Sequence, residues 1–261
     1  MSVASSVAWC DRGRAETEVR VSLVFPKWTN AIPAAVVVGG GLATVAIVAG
    51  GWYYMTPDYT EVGYEPQQPV DYSHLIHVNQ LGIDCRYCHT NVEESAHSNV
   101  PDTATCMNCH TGDPVSDVAY LSNDLWKAHK INENLVEVRA SYATGEPIRW
   151  RRVHKLPDYA HFNHAVHVNA GVSCYSCHGS INQQPVVRQE HSLSMGWCLD
   201  CHRNPEFHLV RTSDTDPNLP KITDLDAIKR QLESAEQRDM GLELASQLQI
   251  QPPQNCGACH Y

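Results

Sequence analysis

The chain has 261 residues, 43 % of them hydrophobic, and 29 acidic against 19 basic side chains, a formal charge of -10. That length suits one extramembrane domain beside a membrane anchor. The acidic balance argues against partners held through phosphate contacts, so no nucleic acid is expected.

Residues 1–30 include Arg12, Arg14, Arg20 and Lys27, and one isolated cysteine, Cys10, read as an incidental thiol. Ala31 to Tyr54 then forms a run of 24 residues without a charge, long enough to cross a bilayer as a helix. Pro33 is tolerated in a first helical turn, and Gly39, Gly40 and Gly41 leave a notch where another transmembrane helix can pack. Trp28 at one end and Trp52, Tyr53 and Tyr54 at the other occupy interfacial positions. A retained anchor is expected rather than a cleaved signal peptide, because about thirty residues precede the run and it exceeds an h-region. Basic residues before it, and Asp58 and Glu61 after it, predict a cytoplasmic N-terminus and a translocated remainder.

Residues 55–261 contain a repeat. Tyr72-Ser73-His74-Leu75-Ile76-His77 and Phe162-Asn163-His164-Ala165-Val166-His167 each carry H-x-x-H, pass a glycine (Gly82, Gly171) and reach C-x-x-C-H. Those motifs are Cys85-Arg86-Tyr87-Cys88-His89 and Cys174-Tyr175-Ser176-Cys177-His178. A second motif follows each: Cys106-Met107-Asn108-Cys109-His110 and Cys198-Leu199-Asp200-Cys201-His202. Two two-motif modules result, at about 70–125 and 155–208, and Cys256-Gly257-Ala258-Cys259-His260 adds a fifth motif.

The spacing has a chemical reason. Two thiols three positions apart can form thioethers with the two vinyl groups of one haem, and the adjacent histidine then reaches its iron. A zinc or disulfide framework gives no reason for histidine at that place five times, so five covalently bound haems c are expected.

Ten histidines remain outside the motifs. His74 and His164 are close enough in sequence to return to the following haem, and His77 and His167, one turn along, project toward neighbouring ones. These four are the expected distal ligands, with His154 the leading candidate for the fifth position. His129 offers the same chemistry, and Met195 and Met240 are competing sixth ligands that would raise one potential. His97 and His191 occupy analogous places before the second motifs with open orientation, and His161 and His208 rank lower. Tyr87, Tyr175 and Trp197 are read as packing residues beside haem faces.

Turn-forming residues cluster at 99–102, 111–114, 180–185 and 203–206, and the longest helical pattern runs from Thr223 to Leu248, with Gly241 casting its continuity into question. The expected fold is a haem-organised multihaem cytochrome c domain, mainly short helices and loops, with one N-terminal transmembrane helix.

More specific elements run from Phe25-Pro26 and Trp28-Thr29-Asn30 through Thr56-Pro57, Val62-Gly63-Tyr64 and Gln68-Pro69-Val70 to the first two motifs. They continue in His154-Lys155-Leu156-Pro157-Asp158, Phe162-Asn163-His164, Gly171-Val172-Ser173-Cys174, Leu193-Ser194-Met195-Gly196-Trp197-Cys198 and Asn204-Pro205. In these the chain resembles the membrane-anchored pentahaem cytochrome c subunit of bacterial alternative complex III, a quinol-oxidising respiratory assembly. The resemblance covers roughly residues 24–208 and the last motif; nothing in the far N-terminus, Cys10 included, takes part. It implies a haem wire on the periplasmic side of the inner membrane, passing quinol-derived electrons toward a mobile carrier or terminal oxidase. It also implies separate polytopic quinol-binding and iron-sulfur subunits, so this chain is expected to relay electrons without being catalytic in isolation.

A membrane-anchored quinol dehydrogenase cytochrome feeding a periplasmic reductase is the alternative. Such proteins are usually shorter and place the first haem nearer the anchor, whereas about thirty residues separate Tyr54 from Cys85 here. A catalytic multihaem reductase would need an open or displaceable iron site.

Overall fold

The structure, a computed structural model, describes residues 25–110 and 135–261. The chain divides into two units at Trp52/Tyr53. In the first, a 3-10 turn at Lys27–Ala31 opens α1, Ile32–Tyr54. Pro33 sits in the first turn, where its missing N–H costs no helical bond. The continuous helical span Lys27–Tyr54 has 28 residues and contains an 18-residue window of mean hydropathy 2.2, the length and composition of one membrane crossing. A Cβ at Gly39, Gly40 or Gly41 would meet nothing, so the glycines leave an open strip on the helix.

The second unit begins with α2, Pro57–Thr60, started by Pro57 with Asp58 in its first turn, and Tyr59 packs against Tyr53 and Tyr54. The rest is helical and irregular; among the described residues strand-type pairing amounts to one bridge between Val172 and Leu209. The first H-x-x-H lies on a π-helical turn, Leu75–Gln80, and the second on α6, His164–Asn169. Ser73 and Asn163, each preceding the first histidine, accept from the backbone N–H of Ile76 and Val166 and start the two turns in the same way. Gly82 and Gly171 follow at φ 69° and 87°, the left-handed conformation that turns the chain back toward each attachment motif.

The motifs themselves are short helices: α3 at Cys85–Cys88, α4 at Thr103–His110, α7 at Cys174–His178 and α8 at Met195–Arg203. A side-chain acceptor begins each one. Asp84 takes Arg86 N–H, Asp102 takes Thr105 N–H, Ser173 takes Tyr175 N–H and Ser194 takes Trp197 N–H. The fifth motif carries a 3-10 turn, Cys256–Ala258.

Among the described residues, six buried apolar residues form two small clusters, each against one motif. Val70, Val138 and Ile148 hold Cys106 and Met107, with Val138 on α5, Val136–Thr144. Val210, Leu225 and Ile228 hold Cys174 and Tyr175. The helical pattern from Thr223 to Leu248 is not one helix: it breaks into α9, Leu225–Leu232, and α10, Gln237–Gln247. Gly241 is not the break, since it lies inside α10, where the backbone of Glu206 comes too close for any Cβ. Gln237 at the start of α10 is buried and donates through its amide to the carbonyls of Glu206 and Leu209, which fixes the new helix direction.

Candidate haem-binding sites

The two H-x-x-H elements repeat one geometry. Tyr72 lies edge-on to His74, with centroids 5.0 Å apart at 88°, and stacks on His77 at 4.4 Å and 25°. Phe162 lies edge-on to His164 at 4.8 Å and 86° and stacks on His167 at 4.5 Å and 30°. An aromatic ring two positions ahead of the first histidine thus sets the orientation of both imidazoles.

The second histidine of each element faces the histidine of the module's second motif. His77 stands 6.2 Å from His110, and His167 stands 6.0 Å from His202, centroid to centroid. Two imidazoles bonded at about 2 Å to opposite sides of one iron also have centroids about 6 Å apart. Among the described residues no three His, Cys, Asp or Glu side chains converge as a metal cage, so the arrangement is one of pairs. A haem iron asks for a pair, because its other four ligands come from the porphyrin.

Backbone carbonyls orient these rings. Nδ1 of His89 donates to Asn99 at 2.6 Å, Nδ1 of His202 to Pro253 at 2.6 Å and Nδ1 of His260 to Tyr159 at 2.8 Å. Nδ1 of His77, His164 and His167 donates likewise to Ser73, Ala96 and Asn163 at 2.8–2.9 Å. A carbonyl only accepts, so the proton resides on Nδ1 and the lone pair on Nε2, the iron-binding tautomer. His161 differs: its Nε2 bonds the Tyr261 carbonyl at 2.8 Å and its ring stacks on Tyr261 at 4.2 Å.

Four histidines, His154, His164, His89 and His74, gather near His178. His154 Nε2 lies 3.2 Å from His178 Nδ1, with the rings perpendicular at 4.3 Å. Burial first, then the nearby His154, His164, His89 and His74, hold His178 well below the usual imidazole range. Burial likewise pushes His154 and His74 down to about 4, and the buried Nδ1 of His74 has no hydrogen-bond partner. These rings are therefore neutral near pH 7, the form a metal takes.

The remaining candidates are dispersed. His97 is exposed, His191 stacks on Trp197 at 5.3 Å, and burial lowers the half-buried His208. Met195 and Met240 are exposed at 68 % and 40 %, Met195 opening α8 and Met240 lying on α10. His129, Cys10, Arg12, Arg14, Arg20 and the turn at 111–114 lie outside the described residues. Tyr72 and Phe162 had not been assigned a role from sequence, although their shared place in the repeat was the available signal. The carbonyls of Asn99, Pro253 and Tyr159 had none, because a backbone group leaves no trace in residue type.

Helical fold, paired thiols and facing imidazoles have together the character of a multihaem c-type cytochrome. No family model matches the chain. It is similar to the multihaem cytochrome c subunit of menaquinone reductase from Nitratidesulfovibrio vulgaris, at 32 % identity over 134 residues, 51 % of this chain and 54 % of that protein. The chain spans about half the length of this curated relative. That likeness supports the general class, and with it covalent haem c as the kind of cofactor.

Proposed function

We propose that the chain is an electron relay that holds five haems c and serves a quinone-linked respiratory complex of the alternative complex III type. The observation that carries this is the duplicated pairing of His77 with His110 and His167 with His202 at the spacing of two axial ligands. Each haem supplies a one-electron ferric/ferrous couple. The chain's part would be to hold it: Cys85/Cys88, Cys106/Cys109, Cys174/Cys177, Cys198/Cys201 and Cys256/Cys259 would bond the vinyl groups, and His89, His110, His178, His202 and His260 would bind the irons. His74, His77, His164 and His167 would supply further ligands, with His154 the candidate for the fifth.

The α1 span anchors the chain in the inner membrane, residues 1–30 on the cytoplasmic side and residues 55–261 on the periplasmic side. A polytopic quinol-binding subunit and an iron-sulfur subunit complete the complex, and a periplasmic carrier or terminal oxidase takes the electrons. The relative's name, a menaquinone reductase subunit, favours a second reading in which electrons run toward the quinone. Intact mass of the mature chain should exceed the polypeptide by five haems; four or fewer overturns the count. Protease digestion of sealed vesicles reports the side of the membrane, and assay of the purified complex with quinol and with quinone separates the two directions.

A further inference from the structure

The five attachment motifs do not lie in space in their chain order. Resting on the pentahaem reading above, we infer that they form a line in the order second, first, third, fourth, fifth, with the sites of His110 and His260 at its ends.

Each neighbouring pair is joined by its own contacts. Between second and first, Asn108 Nδ2 donates to the Tyr87 hydroxyl at 3.0 Å, both residues being the variable position beside the second cysteine of their motifs. Between first and third, the backbone N–H groups of His164 and Ala165 donate to the carbonyls of Ala96 and Ser95 at 3.2 and 3.1 Å. There Arg86, inside the first motif, also reaches Asp214 at 2.7 Å. That junction joins the two modules through their first motifs, which leaves their second motifs on the far sides.

From third to fourth, His167, which leads into the third motif, lies 6.0 Å from His202, centroid to centroid. From fourth to fifth, His202 Nδ1 donates to the Pro253 carbonyl, three residues ahead of Cys256. The fifth motif is also held through His260 Nδ1 on Tyr159 and His161 N–H on the Cys259 carbonyl. Among the described residues, contacts between the modules include those beside the first and third motifs, and the second motif bonds to Tyr87 and packs on the Val70, Val138 and Ile148 cluster.

The consequence is that the first motif is interior and the second terminal, the reverse of what chain order implies. An iron-resolved map of the unaltered holoprotein in its membrane complex tests this. The iron facing His89 should have two close neighbours, those facing His110 and His178, and the iron facing His110 only one. Five irons with the His110 site between those of His89 and His178 would overturn the order and leave the pentahaem reading intact; fewer than five would overturn both. Paired variants give a second readout by visible absorption after flash reduction. In Cys106→Ala/Cys109→Ala the four remaining haems should still equilibrate, whereas Cys85→Ala/Cys88→Ala should lose rapid exchange with the His110 site. Rapid exchange in the latter variant would overturn the order.

Discussion

His164 is fixed by three neighbours: Asn163 starts its helix, Phe162 stands edge-on to its ring, and the Ala96 carbonyl holds Nδ1. Replacing it with alanine should turn one low-spin haem into a high-spin or substitute-ligated centre while the haem count stays at five. Electron paramagnetic resonance with a redox titration reports this, and an unchanged spectrum would show that the repeat misassigns the ligand. His77→Ala and His167→Ala should instead alter the sites of His110 and His202, which mapping each change onto a map of the variant would check. At this scale the sequence was informative wherever chemistry resides in a side chain. The H-x-x-H histidines could be named from spacing, whereas the bond from Nδ1 of His89 to the carbonyl of Asn99 could not. Asn99 reaches that place at φ 71°, a left-handed conformation that asparagine tolerates better than most residues.

Between α10 and the 3-10 turn Pro205–Phe207 the chains approach so closely that only glycine fits at 241. Gly241→Ala should destabilise the holoprotein by about 1–3 kcal/mol, as overpacking does, seen as a lower Tm with an unchanged haem count. Sequence suggested one helix from Thr223 to Leu248 because apolar periodicity continues through the bend. What ends α9 is tertiary: the Gln237 amide satisfies two carbonyls of the 205–209 turn, and no local pattern announces such a bond. Arg86 gives an electrostatic case. Its hydrogen bond to Asp84 is the main reason that carboxyl is held below the usual carboxylate range, against a smaller opposing effect of burial. A depressed carboxylate adds stability above its unfolded pKa and loses it as pH falls through the folded one. Acidification below about pH 4 should therefore weaken this corner, and Arg86→Met should reduce the acid dependence, leaving the part due to the backbone N–H at 86 and to Lys221. The Asp84 side chain is 38 % exposed, so solvent screening keeps the effect within about 1 kcal/mol, read by thermal melts at two pH values.

For the whole molecule, the long apolar helix and the five motifs were legible because each is a local pattern, and the repeat suggested two modules. Their mutual placement was not legible, since it rests on backbone contacts such as Ala96 with His164 across 68 positions of sequence. Among the described residues the buried apolar clusters are two small ones, each leaning on a cysteine of a motif. A domain of this length with so modest a core should need its cofactors to fold. Chain produced in cells without haem-attachment machinery should show no cooperative unfolding by circular dichroism, while the loaded protein should melt sharply. A cooperative melt of the haem-free chain would sink that expectation.

The carbonyls that lock the imidazoles belong to segments far along the chain: Pro253 holds His202, and Tyr159 holds His260. If residues 55–261 cross the membrane as proposed, the segments nearest the anchor emerge first, so the fourth motif would be exported before its lock exists. Haem can be stitched to the cysteines on an extended strand, but the imidazole of that motif gains its final tautomer only after the tail has arrived. Export and ligation are thereby separated in time, and the tail acts as a latch on its neighbour as well as a carrier of its own motif. Ending translation after Ile250 should cost more than the fifth haem. The fourth would remain attached yet show a mixed-spin spectrum, which absorption and paramagnetic resonance of the truncated protein would reveal.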